Sequence, residues 1–265
     1  MKMQTDLRNW LLSTLAVTLF AIAGCNTQGG TSATPTGTSS ATPTPSATAS
    51  AAQSALPRLE GKATVVMTVK GSPITLEVDG TNAPITAGNF VDLVEKKVYD
   101  GLVFHRVVRE PQPFVVQGGD PQGKNPNFPL EQLGTGGYVD PATSQPRNLP
   151  LEIKPENAAE PVYGKTLEGV KPKLKHTRGA LAMARSSDPD SASSQFYIAL
   201  ADLTFLDGNY AVFGKVTQGM EVVDKIQQGD RIESAKVTQG LENLKTGAAT
   251  PSASPSASAS PTTTP

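Results

Sequence analysis

Residues 58–246 predict a domain dominated by β-structure, a barrel or sandwich whose open ends are covered by two helices. Three observations carry this expectation. Short β-branched and aromatic segments recur along the stretch, only two segments have helical periodicity, and the tracts on either side are too polar and too simple to fold. In chain order, 63–69 (ATVVMTV) and 74–78 (ITLEV) are β-rich and separated by Lys70-Gly71-Ser72-Pro73, a turn signal, so they predict a hairpin. Segment 86–98 then places Phe90, Leu93, Val94 and Val98 on one helical face and is closed by Asp100-Gly101. Further strands are predicted at 102–108, 114–117, 180–184, 195–200 and 211–216, and a second helix at 220–227, between Gly219 and Gly229. Between them, 110–175 holds 11 of the 14 prolines of the domain, which predicts a long loop with short ordered pieces such as 149–153.

The flanks explain a thin overall composition. The chain has 265 residues, 37% hydrophobic and 18% charged. Of the 30 residues 27–56, 27 are Ser, Thr, Ala, Pro or Gly, and all 19 residues of 247–265 belong to that set. Such tracts cannot bury enough apolar surface to offset their ordering entropy. Removing them leaves 246 − 58 + 1 = 189 residues, a normal domain. Lys2 and Arg8 precede an uncharged apolar run at 10–23, shorter than the roughly 20 residues of a membrane span. This is the layout of a signal peptide, assigned to 1–24.

Ile22-Ala23-Gly24-Cys25 resembles the lipobox of bacterial lipoproteins, which implies lipidation (diacylation) of Cys25. The expected organisation is a signal peptide at 1–24, a lipidated Cys25 heading a Ser/Thr/Pro-rich linker over 25–57, the domain at 58–246, and a disordered tail at 247–265. The domain is then anchored by lipid to a bacterial membrane, facing its extracytoplasmic or periplasmic side, with a thylakoid lumen as the alternative.

Charge and residue counts exclude several chemistries. With 23 basic and 24 acidic residues there is no electrostatic footprint for nucleic acid. One Cys and two His leave no disulfide framework and no zinc constellation, so no metal or cofactor is expected. Gly118 to Asn125 approaches a phosphate loop, but Asn125 lacks the hydroxyl for Mg²⁺ and Asp120 would set an anion among phosphates. Asp188-Pro189-Asp190-Ser191 lacks the glycine and closing glutamate of a calcium loop. No G-x-S-x-G elbow accompanies His105 and His176, and His176 is most simply structural.

Three blocks carry a specific resemblance. Residues 99–121 (YDGLVFHRVVREPQPFVVQGGDP), 176–200 (HTRGALAMARSSDPDSASSQFYIAL) and 205–216 (FLDGNYAVFGKV) are similar, in order and approximate spacing, to the signature segments of the cyclophilin family of peptidyl-prolyl isomerases. The match spans nearly all of 62–240. It implies a closed antiparallel eight-stranded barrel capped by two helices, here with a long Pro-rich loop insertion.

The chemistry implied is modest. Rotation about a peptide bond faces about 18–20 kcal/mol because the nitrogen lone pair is delocalised into the carbonyl. For X-Pro both isomers are populated and exchange takes tens to hundreds of seconds. A catalyst needs an apolar slot for the ring and a fixed donor for the twisted nitrogen. Arg106 is the candidate catalytic donor, permanently charged and forked. The resemblance implies that His105 and Gln117 contact substrate backbone, and that Phe114, Val115, Tyr197 and Leu206 form the proline pocket. Gln195 and Tyr197 share a strand face, which leaves Phe196 on the core side. Ala184 and Arg185 are expected to line the groove for residues before the proline through their backbone groups.

Phe205 stands where many members carry Trp, which implies weak binding of the inhibitor cyclosporin; Tyr210 replaces a His and Tyr197 a Phe. Three extra residues lie between Arg106 and Phe114. The function expected is peptidyl-prolyl isomerisation in unfolded or flexible segments outside the cytoplasm. The alternative is a peptide-binding chaperone or scaffold with incidental isomerase activity. The partners expected are proline-containing polypeptide segments and, through the lipid anchor, a membrane; no nucleic acid is involved, and the chain is expected to be a monomer.

Overall fold

The computed structural model describes residues 53–246. The predicted signal peptide, the lipidation site Cys25, most of the linker and the tail 247–265 lie outside the described residues.

Eight strands form one antiparallel sheet: β1 (Lys62–Val69), β2 (Ser72–Asp79), β3 (Arg106–Val108), β4 (Val115–Gly118), β5 (Ala180–Met183), β6 (Phe196–Ala199), β7 (Val212–Gln218) and β8 (Ile232–Gln239). Their spatial order is β8-β1-β2-β7-β5-β6-β4-β3. In β1 and β2 the alternation is nearly complete. Ala63, Val65, Met67 and Val69, with Ile74, Leu76 and Val78, point inward.

The expected closed barrel is corrected to an open one. The ladder has two edges, β8 and β3, and does not join them strand to strand. The predicted strand 102–108 orders as strand only from Arg106. Its first half instead crosses the gap through Gly101 N–H to Ile232 O, Ile232 N–H to Leu102 O, Phe104 N–H to Asp230 O and Gly229 N–H to Phe104 O, at 2.7 to 2.9 Å. The sheet curls into a half-barrel, and irregular backbone stitches its seam.

Helix α1 (Pro84–Glu95) begins two residues before the predicted start, because Pro84 occupies the first turn, where no N–H is needed. Every residue from Ile85 to Val94 is buried. Gly88 is required by the approach of the 58–59 segment, since a Cβ there would lie 2.5 Å from Arg58 Cα. Ala83 offers no side-chain cap; the carboxylate of Glu152, from the long loop, accepts from Ile85 N (3.1 Å) and Thr86 N (2.7 Å). Helix α2 (Met220–Val223) is one turn long, shorter than the predicted 220–227.

The main core lies inside the curl. Phe196 packs edge-on to Phe90 (5.5 Å between centroids) and to Tyr99 (5.4 Å), as its strand parity predicts. A second apolar cluster, including Val115, Ala182, Tyr197 and Ala199, sits on the opposite face of the same strands. The functional groove is built on that outer face.

The Pro-rich stretch is loop, as predicted, but it is pinned. Its ordered pieces are single turns at Pro121–Lys124 and Leu130–Gln132 and two-residue pairings of Val139–Asp140 with Gln145–Pro146 and of Glu152–Ile153 with Val162–Tyr163. Asp120, almost fully buried, accepts from Gln122 N (2.9 Å), Gly134 N (2.7 Å) and Gly136 N (3.0 Å). Arg147 reaches Asp92 on α1 at 2.5 Å and stacks on Tyr138, 4.7 Å from the ring centroid. Asp92 is also paired with Lys96.

Candidate active site

Antiparallel pairing of β3 with β4 sets Arg106 directly opposite Gln117. The guanidinium, exposed to solvent, donates to Gln117 Oε1 at 3.2 Å and lies 5.4 Å from the Phe114 ring centroid. Gln117 Nε2 donates to Gln195 Oε1 (3.2 Å), and Gln195 Nε2 donates to the Gly136 carbonyl (2.7 Å). A chain of four groups thus fixes the cation and ends in the loop wall. Because each amide has its partner on both sides, the guanidinium is aimed before any substrate arrives.

Beside Arg106 is a cavity of about 150 Å³, lined by Arg106, Phe114, Val115, Gln117, Ala184, Arg185, Tyr197, Leu206 and Tyr210. Nine of the twelve predicted site residues therefore converge on it. Tyr197, 5% exposed, presents its ring; burial pushes its phenol well above the ordinary tyrosine range. Tyr210 meets that ring edge-on at 6.1 Å, and Arg185 lies 4.7 Å over Tyr210 while donating to the Asn209 carbonyl at 2.8 Å. Arg185 therefore walls the pocket with its side chain. The N–H of Ala184 is committed to the Gln195 carbonyl (2.9 Å).

A second cavity, about 490 Å³, shares Gln117, Ala184 and Arg185 with the first and adds Gln195, residues 134–139, Pro146, Asn148 and three serines. The two form one groove.

Two predicted residues stand apart. Phe205 is 68% exposed and lines neither cavity, but stacks on Phe114 (6.0 Å, 16°) as an outer rim. His105 is buried, lies beneath Gly134, and lines neither cavity. Neither ring nitrogen has a well-formed hydrogen-bond partner, although the Val103 backbone lies within reach of the ring. Burial holds its pKa below the ordinary histidine value, and Asp120 partly opposes that effect. Sequence reasoning missed the wall at 134–139, whose only signal is a Gly-rich run, and the pairing of His176 with Asp207 behind Tyr197.

Among the described residues no group of three or more His, Cys, Asp or Glu is placed to hold a metal. The groove sets a fixed cation beside a slot walled by Phe114, Val115, Leu206 and the Tyr197 ring, on the outside of a β half-barrel. The family model for cyclophilin-type peptidyl-prolyl cis-trans isomerases matches residues 64–246, and the chain belongs to that family. It is 42% identical to a Synechocystis sp. protein provisionally named a thylakoid lumen peptidyl-prolyl cis-trans isomerase, over 72% of this chain and 51% of that one. It is 42% identical to the chloroplast peptidyl-prolyl cis-trans isomerase CYP38 of Arabidopsis thaliana, over 71% of this chain and 45% of that one. The chain thus spans about half the length of these two relatives. A Cryptosporidium parvum cyclophilin-type isomerase solved in the presence of the dipeptide Ala-Pro has the same fold, with a TM-score of 0.50 at 24% identity, over 66% of this chain and 99% of that one.

Proposed function

We propose that this chain is a peptidyl-prolyl cis-trans isomerase acting on flexible proline-containing segments outside the cytoplasm. The observation that carries the reading is Arg106, held by Gln117 on the wall of a pocket of about 150 Å³ that Phe114, Val115, Leu206 and the Tyr197 ring also line. A proline ring seated between Tyr197, Leu206 and Phe114 brings its nitrogen to the guanidinium. There a charge-assisted bond strengthens as the nitrogen becomes pyramidal and its lone pair is released from the carbonyl. Shortening tens of seconds to about a millisecond requires about 6 kcal/mol, within reach of one preorganised donor together with preferential binding of the twisted form. Gln117, Gln195 and Arg185 bind the flanking backbone, Phe205 closes the rim, and His105 supports the loop wall from beneath.

The location rests on the two relatives named for the thylakoid lumen and the chloroplast. Lipid anchoring at Cys25 and a monomeric state belong to the same proposal. Cys25→Ala is expected to move the protein from the membrane to the soluble fraction, and unchanged membrane association refutes the anchor.

A protease-coupled or NMR exchange assay on an X-Pro tetrapeptide tests the activity. Arg106→Ala is expected to lower kcat/KM by about 10²–10³. Because Arg106 is exposed, the melting temperature should be unchanged. An inactive parent that still binds the peptide would defeat the isomerase reading in favour of a chaperone.

A further inference from the structure

His176 is 1% exposed and makes four hydrogen bonds, all to the elements that carry the proline pocket. Its backbone N–H and its Nδ1 both meet Asp207 Oδ1, at 2.8 and 2.9 Å. Its carbonyl accepts from Leu203 N at 2.7 Å, and its Nε2 lies 2.9 Å from the Tyr197 hydroxyl. Asp207 and Leu203 flank the single turn Thr204–Leu206, which supplies Phe205 and Leu206. Tyr197 belongs to β6. One buried side chain therefore ties the strand wall of the pocket to the turn wall.

The roles of the two ring nitrogens follow from their partners. A carboxylate only accepts, so Nδ1 carries the proton and donates to Asp207. In the neutral ring Nε2 is then an acceptor, and the Tyr197 hydroxyl is the donor. Burial favours that neutral ring and outweighs the opposing pull of Asp207. The ring planes of His176 and Tyr197 lie 13° apart with centroids 6.0 Å from each other, so the two rings are held nearly parallel.

We propose that His176 is a positioning residue of the proline pocket: with Asp207 it captures the Tyr197 hydroxyl outside the slot, so that the phenol ring serves as an apolar wall at a fixed distance from Leu206. A hydroxyl on a pocket wall would otherwise bring water to the site of the proline ring, or sit unpaired, and either costs affinity. The inference rests on the isomerase reading for its kinetic consequences and stands apart from it in its geometry.

The test compares the parent, His176→Phe, Tyr197→Phe and the double variant. His176→Phe is expected to raise KM for an X-Pro tetrapeptide by about tenfold with kcat changed less than threefold, because Arg106 and Gln117 are untouched. Adding Tyr197→Phe to it should recover at least half of that loss on a logarithmic scale, since no hydroxyl is left to satisfy. A folded His176→Phe with unchanged KM, or a double variant no better than the single one, overturns the proposal. The ¹⁵N resonance of His176 Nε2 gives a second measurement that needs neither turnover nor a folded His176 variant. In Tyr197→Phe it should move by several ppm toward the value of a free, unprotonated imidazole nitrogen, and a resonance that stays in place overturns the proposal. If the parent shows no turnover, the isomerase reading fails by itself. The dissociation constant for the same peptide and the ¹⁵N shift then still judge His176.

Discussion

The two ends of the groove are held in different ways. At the proline end, Arg106, Val115, Gln117 and Tyr197 sit on adjacent strands, and their spacing is set by backbone pairing in the ladder β3-β4-β6. At the other end the wall 134–139 has only the two-residue pairing of Val139–Asp140 with Gln145–Pro146 behind it. It hangs on two N–H bonds to Asp120, from Gly134 and Gly136, on one from Tyr138 to Ser193 Oγ, and on Arg147, which reaches back to Asp92 on α1. The ladder is cooperative, so no single side chain sets the spacing of those strands. The loop wall is a sum of individual polar contacts, each removable. On the proposed function the chemistry rests on the rigid end, which the loop wall meets through the link from Gln195 to the Gly136 carbonyl.

Asp120→Ala should break this contrast most severely. It removes one buried acceptor from three backbone N–H groups and is expected to cost about 3–4 kcal/mol, or roughly 10 °C in melting temperature. In the molecules that remain folded, tetrapeptides should lose most of their kcat/KM advantage over an X-Pro dipeptide amide. The dipeptide itself should fall only a few-fold, through the Gln195–Gly136 link. An equal loss for both would show that the ends are one cooperative unit. Arg147→Leu comes next, at about 2 kcal/mol, because buried Asp92 keeps Lys96 as a partner. Its effect on peptides should have the same pattern at smaller size.

Which parts were legible in the sequence follows the same division. The hairpin β1–β2 announces itself by alternation, and the groove residues Arg106, Phe114, Gln117, Tyr197 and Leu206 stand inside recognisable blocks. Strand β8 was not predicted: of its eight residues only Ile232 and Ala235 are buried, so the edge strand shows little hydrophobic period. Its absence also hid the seam where the barrel stays open. The pins Arg147 and Glu152 left no local signature, because each acts on groups distant in sequence; Asp120 stands in the first block, but its reach to Gly134 and Gly136 is not readable there. His176 and Asp207 are 31 residues apart and meet only after the sheet and the 204–206 turn have formed. Side chains that bind along a strand could be placed by parity; those that join elements could not.

Acid offers a milder probe, since the chain's two histidines divide between the two ends. His105 lies under the loop wall and His176 behind Tyr197; burial holds both pKa values below the ordinary histidine value of 6.5. Each folded ring therefore resists a proton that the unfolded chain accepts. Stability is fully present above about pH 6.5 and is lost as pH falls from there toward the folded pKa values. Denaturation midpoints measured from pH 7.5 to 5.5 should fall on the acid side, and less steeply in His105→Leu. A slope that His105→Leu leaves unchanged would assign the whole response to the His176 end.

The smallest effect is expected where the rim is least supported. Phe205 is largely exposed and touches the site only by stacking on Phe114, so Phe205→Ala removes a contact that water already shares. An aromatic pair contributes about 0.5–1.5 kcal/mol when well packed, and this one belongs at the low end. The melting temperature should fall by about 1–2 °C. Yet Phe114 carries the Arg106 guanidinium over its face, so freeing one side of its ring loosens the seat of the cation. A fall of about two- to fivefold in kcat/KM, equal for dipeptide and tetrapeptide, is expected, because the disturbance lies wholly at the proline end. A loss confined to the tetrapeptide would instead place Phe205 in contact with residues beyond the proline. The rim would then belong with the loop wall as a part of the groove that tunes binding without touching the rotating bond.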